Sequence, residues 1–195
     1  MKKVKAKRKV YKLGSTGQPI DCNAATKNFN AYCKEEQNRA KRRDALNNNL
    51  KTATENLKQK NQELKTSENK LKKQYPNCKQ QCIDNKIKNV TAIQNDTAAQ
   101  QKIIKDKNST PKQKKAAQQQ IKNNNAAIGK IPGGQDISNS IVPLQNAIKN
   151  LENQIDKITT SLQPIIDRLS ELNQLKSDLE NTMKDANPPC TVPSC

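Results

Sequence analysis

Apolar residues recur every three and four places through the last third of this chain. With Ile141 as position a of a heptad, the a and d places are Ile141, Leu144, Ile148, Leu151, Ile155, Ile158, Leu162, Ile165, Leu169, Leu172, Lys176, Leu179 and Met183. All but Lys176 are apolar, in a stretch that is otherwise polar. Such spacing, sustained over about six heptads, predicts a coiled-coil surface. Ile166 and Leu175 flank the seam. They widen it beyond what a two-stranded coil needs and favour a bundle of three or more helices. Pro164 falls on the far side of the heptad, so it predicts a kink and not an end. Pro188 and Pro189 stop the helix, and the Pro/Cys tail 188–195 reads as irregular.

Two weaker patterns precede this one. From about residue 24 to 75 there is no Gly or Pro. Leu46, Leu50, Ala53, Leu57, Leu64 and Leu71 keep a three-four spacing, extended backward by Phe29 and Tyr32. The seam is imperfect, because Glu36, Arg39, Arg43, Lys60 and Ser67 occupy places a heptad would make apolar. Pro76 ends it. A second stretch, about 79–107, is anchored by Ile83, Ile87, Val90 and Ile104. Ser109-Thr110-Pro111 reads as a helix restart, a hydroxyl N-cap followed by proline at the first helical position. The restarted helix, 111–128, carries Ala116, Ala117, Ile121 and Ile128, with Gly129 placed as its C-terminal cap. Ile131-Pro132-Gly133-Gly134 is a loop, and the seam helix covers 136–187.

The fold class expected is all-α: an elongated antiparallel three-helix coiled-coil-like bundle over 24–187, up-down-up, with its middle helix broken near Pro111. Each helix would be about 75–80 Å long at 1.5 Å per residue, and short loops make neighbours antiparallel. A basic extended arm and connector, 1–23, precedes the bundle.

Composition sharpens this. Of 195 residues only 32% are hydrophobic and 2% aromatic, too little for a thick core. The 36 Lys+Arg against 18 Asp+Glu give a net charge of +18. That charge is uneven: residues 1–135 hold 31 Lys/Arg and 10 Asp/Glu, residues 136–195 only 5 and 8. Within the arm, Lys2, Lys3, Lys5, Lys7, Arg8, Lys9 and Lys12 form a docking segment for protein or nucleic acid. It has the cationic character of a signal-peptide start but no apolar run follows, so secretion by that route is not expected. No stretch approaches the roughly 20 apolar residues of a membrane span.

Six cysteines, Cys22, Cys33, Cys78, Cys82, Cys190 and Cys195, sit near loops and helix ends, which favours cross-links. Cys33 would lie roughly 60 Å along the first helix from Cys78. An up-down-up arrangement therefore predicts Cys22–Cys33 and two bridges among Cys78, Cys82, Cys190 and Cys195. Should the middle segment double back at Pro111, the tail would instead meet Cys22 and Cys33.

Candidate chemistry is thin. Cys78-x3-Cys82 has the form of half a zinc site, but there is no His and no matching second pair, so cross-linking is the better reading. A cysteine nucleophile would want a base beside it, and the commonest one is missing. Neither an enzyme nor a cofactor is expected. The lysines suit phosphate neutralisation, which is blind to sequence. Lys outnumbers Arg 31 to 5 and stacking aromatics are scarce, which argues against base-specific reading.

A lysine-, asparagine- and glutamine-rich helical chain with a basic arm and loop cysteines resembles the minor capsid or cement proteins of large icosahedral DNA viruses. The resemblance lies in composition and layout over the whole chain. It implies a structural protein on the inner side of a virion shell, bridging neighbouring subunits such as a major capsid protein, with self-association as a further contact. Otherwise a cytoplasmic or nuclear place is expected. The rival readings are a basic packaging protein bound non-specifically to nucleic acid, and a self-assembling cytoskeletal coiled coil.

Overall fold

The computed structural model describes residues 20–195; the docking arm lies outside the described residues. Helix α1 spans Cys22–Gln74, α2 Gln80–Lys105 and α3 Pro111–Lys130. A single turn, α4 (Gly134–Asp136), leads through a π-helical turn (Ile137–Ile141) into α5, Val142–Lys184. Among the described residues there is no strand.

The chain divides into two compact units. The first comprises, among described residues, 20–50 and 157–195. Here the start of α1 and the end of α5 run antiparallel. Helix α1 starts at Cys22, two residues before the expected start at about 24, because the Asp21 carboxylate accepts the amides of Asn23 (3.0 Å) and Ala24 (3.1 Å). Its buried side is Ala25, Phe29 and Cys33, one residue per turn. Ile158, Leu162, Ile165, Leu172 and Met183 are buried on α5. The helix runs through Pro164, whose side chain is exposed. Beyond Lys184 the chain folds back: the Cys190 amide donates to the Met183 carbonyl (2.9 Å). Ala25, Met183, Ala186 and Cys190 close a small core.

The second unit, 51–156, holds a larger core of Leu71, Ile83, Ile87, Val90, Ile128, Ile137, Ile141 and Val142. In it α2 and α3 form an antiparallel hairpin. The turn between them is set by Thr110, whose hydroxyl accepts the Gln113 amide (3.3 Å) while the Gln113 side chain accepts the Thr110 amide (2.8 Å), with Pro111 at the first helical position. So the middle segment doubles back at Pro111 instead of continuing as one broken rung.

Two local features differ from the sequence expectation. Helix α3 runs past Gly129 to Lys130; the left-handed residue is Gly133 (φ 78°), a conformation that glycine adopts freely, and the Tyr75 ring packs where a side chain would stand. Before Pro143, the Val142 amide bonds to the Ile137 carbonyl, five residues back. A regular turn there would press the proline ring on the carbonyl four residues before it, and the wider turn relieves this. It also brings Ile137, Ile141 and Val142 together into the core.

Candidate functional site

The seam residues of α5 and of the π-helical turn before it are all covered to some degree. Ile141, Ile158, Leu162, Ile165, Leu172 and Met183 are buried; Leu144, Ile148, Leu151, Ile155, Leu169 and Leu179 are half-buried. Of the two flanking positions, Leu175 is half-buried and Ile166 is exposed.

The cysteines pair as Cys22–Cys190, Cys33–Cys195 and Cys78–Cys82, with Cα separations of 5.5, 5.5 and 5.4 Å. This corrects the expected Cys22–Cys33 bridge, and with it any bridge from the first turn to the tail. Because α1 begins at Cys22, the two cysteines lie on one continuous helix about 16 Å apart in rise, beyond a disulfide's reach. Within the first unit the end of α5 runs antiparallel to the start of α1, and the tail beyond it meets Cys22 and Cys33, the pairing expected for a middle segment that doubles back. The zinc reading of Cys78 and Cys82 needs two free thiolates, whereas these sulfurs are bonded to each other.

Beside the paired bridges lies a charge cluster. Glu35 accepts a two-pronged contact from Arg168 (3.0 and 2.9 Å) and another from Arg39 (2.7 Å). Arg168 also meets Glu171 at 2.9 Å. The Arg168 hydrogen bond is the main cause that holds the Glu35 carboxyl down at about 2, against some desolvation and with help from Arg39. The same contact raises Arg168 further above its ordinary value. Eight residues further along α5, Lys176 donates to Glu36. Of these residues Glu36 and Arg39 lie at seam places of α1 and Lys176 at the one polar seam place of α5.

In the second unit Asn124 is buried on α3 and donates to Asp96 (2.8 Å) and Thr97 (3.0 Å) of α2. Gln120 and Gln100 also donate to Asp96. The Asn124 bond, then Gln100 and Gln120, lower the Asp96 carboxyl below its usual range. Apolar periodicity missed this anchor. The signal was present all the same: 117, 121, 124 and 128 keep the three-four spacing, with Asn124 in the column.

Two open depressions, one lined by residues such as Glu68, Asp84, Thr91 and Gln145, the other by Glu35, Asn38, Arg39 and Arg42, present carboxylates and amides. All six cysteines are in disulfides. Among the described residues no helix is long and apolar enough to cross a membrane.

The two units differ most in how their cations are placed. The first holds ten Lys/Arg and nine Asp/Glu among its described residues; Arg39, Arg43, Arg168, Lys176 and Lys184 lie in ion pairs. The second holds 19 Lys/Arg against 9 Asp/Glu, and among the described residues Lys60 is its one cation paired with a carboxylate. What these surfaces can do is bind by charge. Comparison with protein-family models, with curated proteins and with solved structures returns no match.

Proposed function

We propose that the chain is a non-enzymatic structural protein that bridges or cements subunits of a large assembly, as a minor capsid protein does on the inner face of a virion shell. The observation that supports this best is the closure of the first unit. Two bridges spanning 168 and 162 residues tie the start of α1 to the tail, and the charged places of both helices are matched to each other. A part so cross-linked keeps its form under load, which a cementing role needs. Antiparallel coiled-coil packing along the full length of α1 and α5 belongs to the same reading, with the arm 1–23 as the segment that docks on a neighbouring subunit. The test is co-sedimentation of the full chain with purified shells, followed by lysine cross-linking. Cross-links from the arm to a shell subunit support the reading; a chain that stays in the supernatant at all salt concentrations overturns it.

A second reading, a protein that packages nucleic acid, is favoured by the cations of the second unit, of which Lys60 alone meets a carboxylate among the described residues. Salt separates the two, since phosphate binding weakens steeply with ionic strength.

A further inference from the structure

We propose that the outward face of α3 is a docking track for the phosphate backbone of a nucleic acid. This rests on the second functional reading and assigns it a surface. Helix α3 has five lysines and no acidic residue. Lys112, Lys115, Lys122 and Lys130 are exposed, and none has a carboxylate partner among the described residues. At the α-helical turn they fall within roughly 80° of arc and run for ~27 Å along the axis. Ala117, Asn124 and Ile128, which are buried, occupy the opposite side.

The packing of the hairpin thus sorts the helix. The buried amide of Asn124 fixes one face on α2, and the lysines are left on the other. Lys102, Lys105 and Lys107, exposed around the end of α2, extend the same charge past the turn.

The chemistry of the face selects the partner. A protein interface carries an apolar centre, with aromatic or Arg anchors. Between these lysines stand exposed Gln119 and Ala126, with no large apolar side chain and no arginine. Ammonium groups in a row with side-chain amides between them suit phosphates at regular spacing. They offer nothing that reads a base edge. The track is therefore expected to be indifferent to sequence.

The test uses the full chain with a labelled DNA duplex of about 40 base pairs, its binding followed by fluorescence anisotropy across a salt series. Replacing Lys112, Lys115, Lys122 and Lys130 by Gln should lower the slope of log affinity against log salt by about 3.6, since each phosphate contact contributes about 0.9. At about 0.1 M salt the loss should be about 100-fold. The matched control replaces Lys51, Lys58, Lys65 and Lys70 by Gln, the same change of net charge on exposed places of α1. It should retain most of the affinity.

Equal weakening by both variants shows diffuse attraction and overturns the track while leaving the second reading intact. A wild-type chain that does not bind duplex at low salt overturns both. Competition by polyglutamate as strong as by DNA, at equal charge, assigns the face to acidic protein and overturns the phosphate partner. On the unaltered protein, bound DNA should shield these four amines from acylation more than the four control amines, a reading independent of whether any variant folds.

Discussion

Lys176, the one charged residue in the seam of α5, donates a hydrogen bond to the carboxylate of Glu36, a charged residue in the seam of α1. Both are partly covered, at 18% and 26% side-chain exposure, so the pair is neither a free surface contact nor a sealed one. Each looks like a defect when its own helix is read alone. Facing one another, they set the register of two antiparallel helices, because a slip of one turn would leave both charges against apolar neighbours. Replacing Lys176 by Leu should therefore cost about 1–3 kcal/mol, mainly by stranding the Glu36 carboxylate. The double replacement E36L/K176L should recover most of the loss. Urea unfolding of the four members of this cycle measures the coupling.

Glu35 gives the same unit a pH dependence. Its carboxyl is held at about 2 in the fold by Arg168, against an ordinary value of 4.5. A lowered carboxylate stabilises the fold above its unfolded value, and that contribution fades as pH falls. The loss should run between about pH 4.5 and 2. Because the side chain is a third exposed, solvent screening limits the effect to about 1 kcal/mol. Glu35→Gln should flatten the melting temperature over that window and leave the slope above pH 5 unchanged.

The two long bridges are not independent. Either one alone closes a loop of more than 160 residues. With one intact, the other closes only a short ring through it, of about 16 residues. In the chain-entropy account, removing Cys22–Cys190 or Cys33–Cys195 singly, as Ala pairs, should cost about 3 kcal/mol. Removing both should cost about 8, more than the sum of the singles. Denaturant midpoints of the three variants decide this; strict additivity would show that the bridges act other than by limiting the unfolded chain.

Gly134 is a sharper test of the α3–α4 turn than Gly133. A methyl group on Gly134 would stand 2.2 Å from the Ile128 carbonyl oxygen, a backbone atom that cannot step aside. At Gly133 the obstacle is the Tyr75 ring at 2.8 Å, with φ +78° adding strain. Gly134→Ala should destabilise by about 2–4 kcal/mol, read as a lower melting temperature by circular dichroism. Gly129→Ala meets nothing within 4 Å and lies inside α3, so it should stabilise by about 0.5–1 kcal/mol.

Leu162 tests the seam. It is buried in α5 of the first unit, and Leu162→Asp should cost more than about 3 kcal/mol, with helical signal lost well below the wild-type melting temperature. Undiminished helicity and melting would mean that the apolar stripe carries little of the packing.

Much of the helical content was legible from periodicity, because the apolar places of α5 repeat without interruption and those of α1 nearly so. The reversal at Pro111 was not. Ser109-Thr110-Pro111 starts a helix equally well whether the chain continues or turns back, and what holds α3 on α2 includes a polar contact, Asn124 with Asp96, which apolar counting discards. The tail meets Cys22 and Cys33, the alternative that a doubled-back middle segment implies, and not the pairing expected for an up-down-up rod. Val142 is fully buried, yet it lies off the heptad; only the wide turn before Pro143 brings it inward. The Glu35–Arg168 contact joins residues 133 apart in sequence, and a charge on a polar helix gives no sign of which distant charge it will meet.

The Cys22–Cys190 bond also decides where tension would travel. A pull applied upstream of Cys22 and downstream of Cys190 is carried across the sulfur link, so the 168-residue span it encloses is shunted out of the force path. Severing a peptide bond anywhere inside that span would leave both fragments tethered until a reductant is added. The helices are thereby spared the strain that their anchored ends must bear.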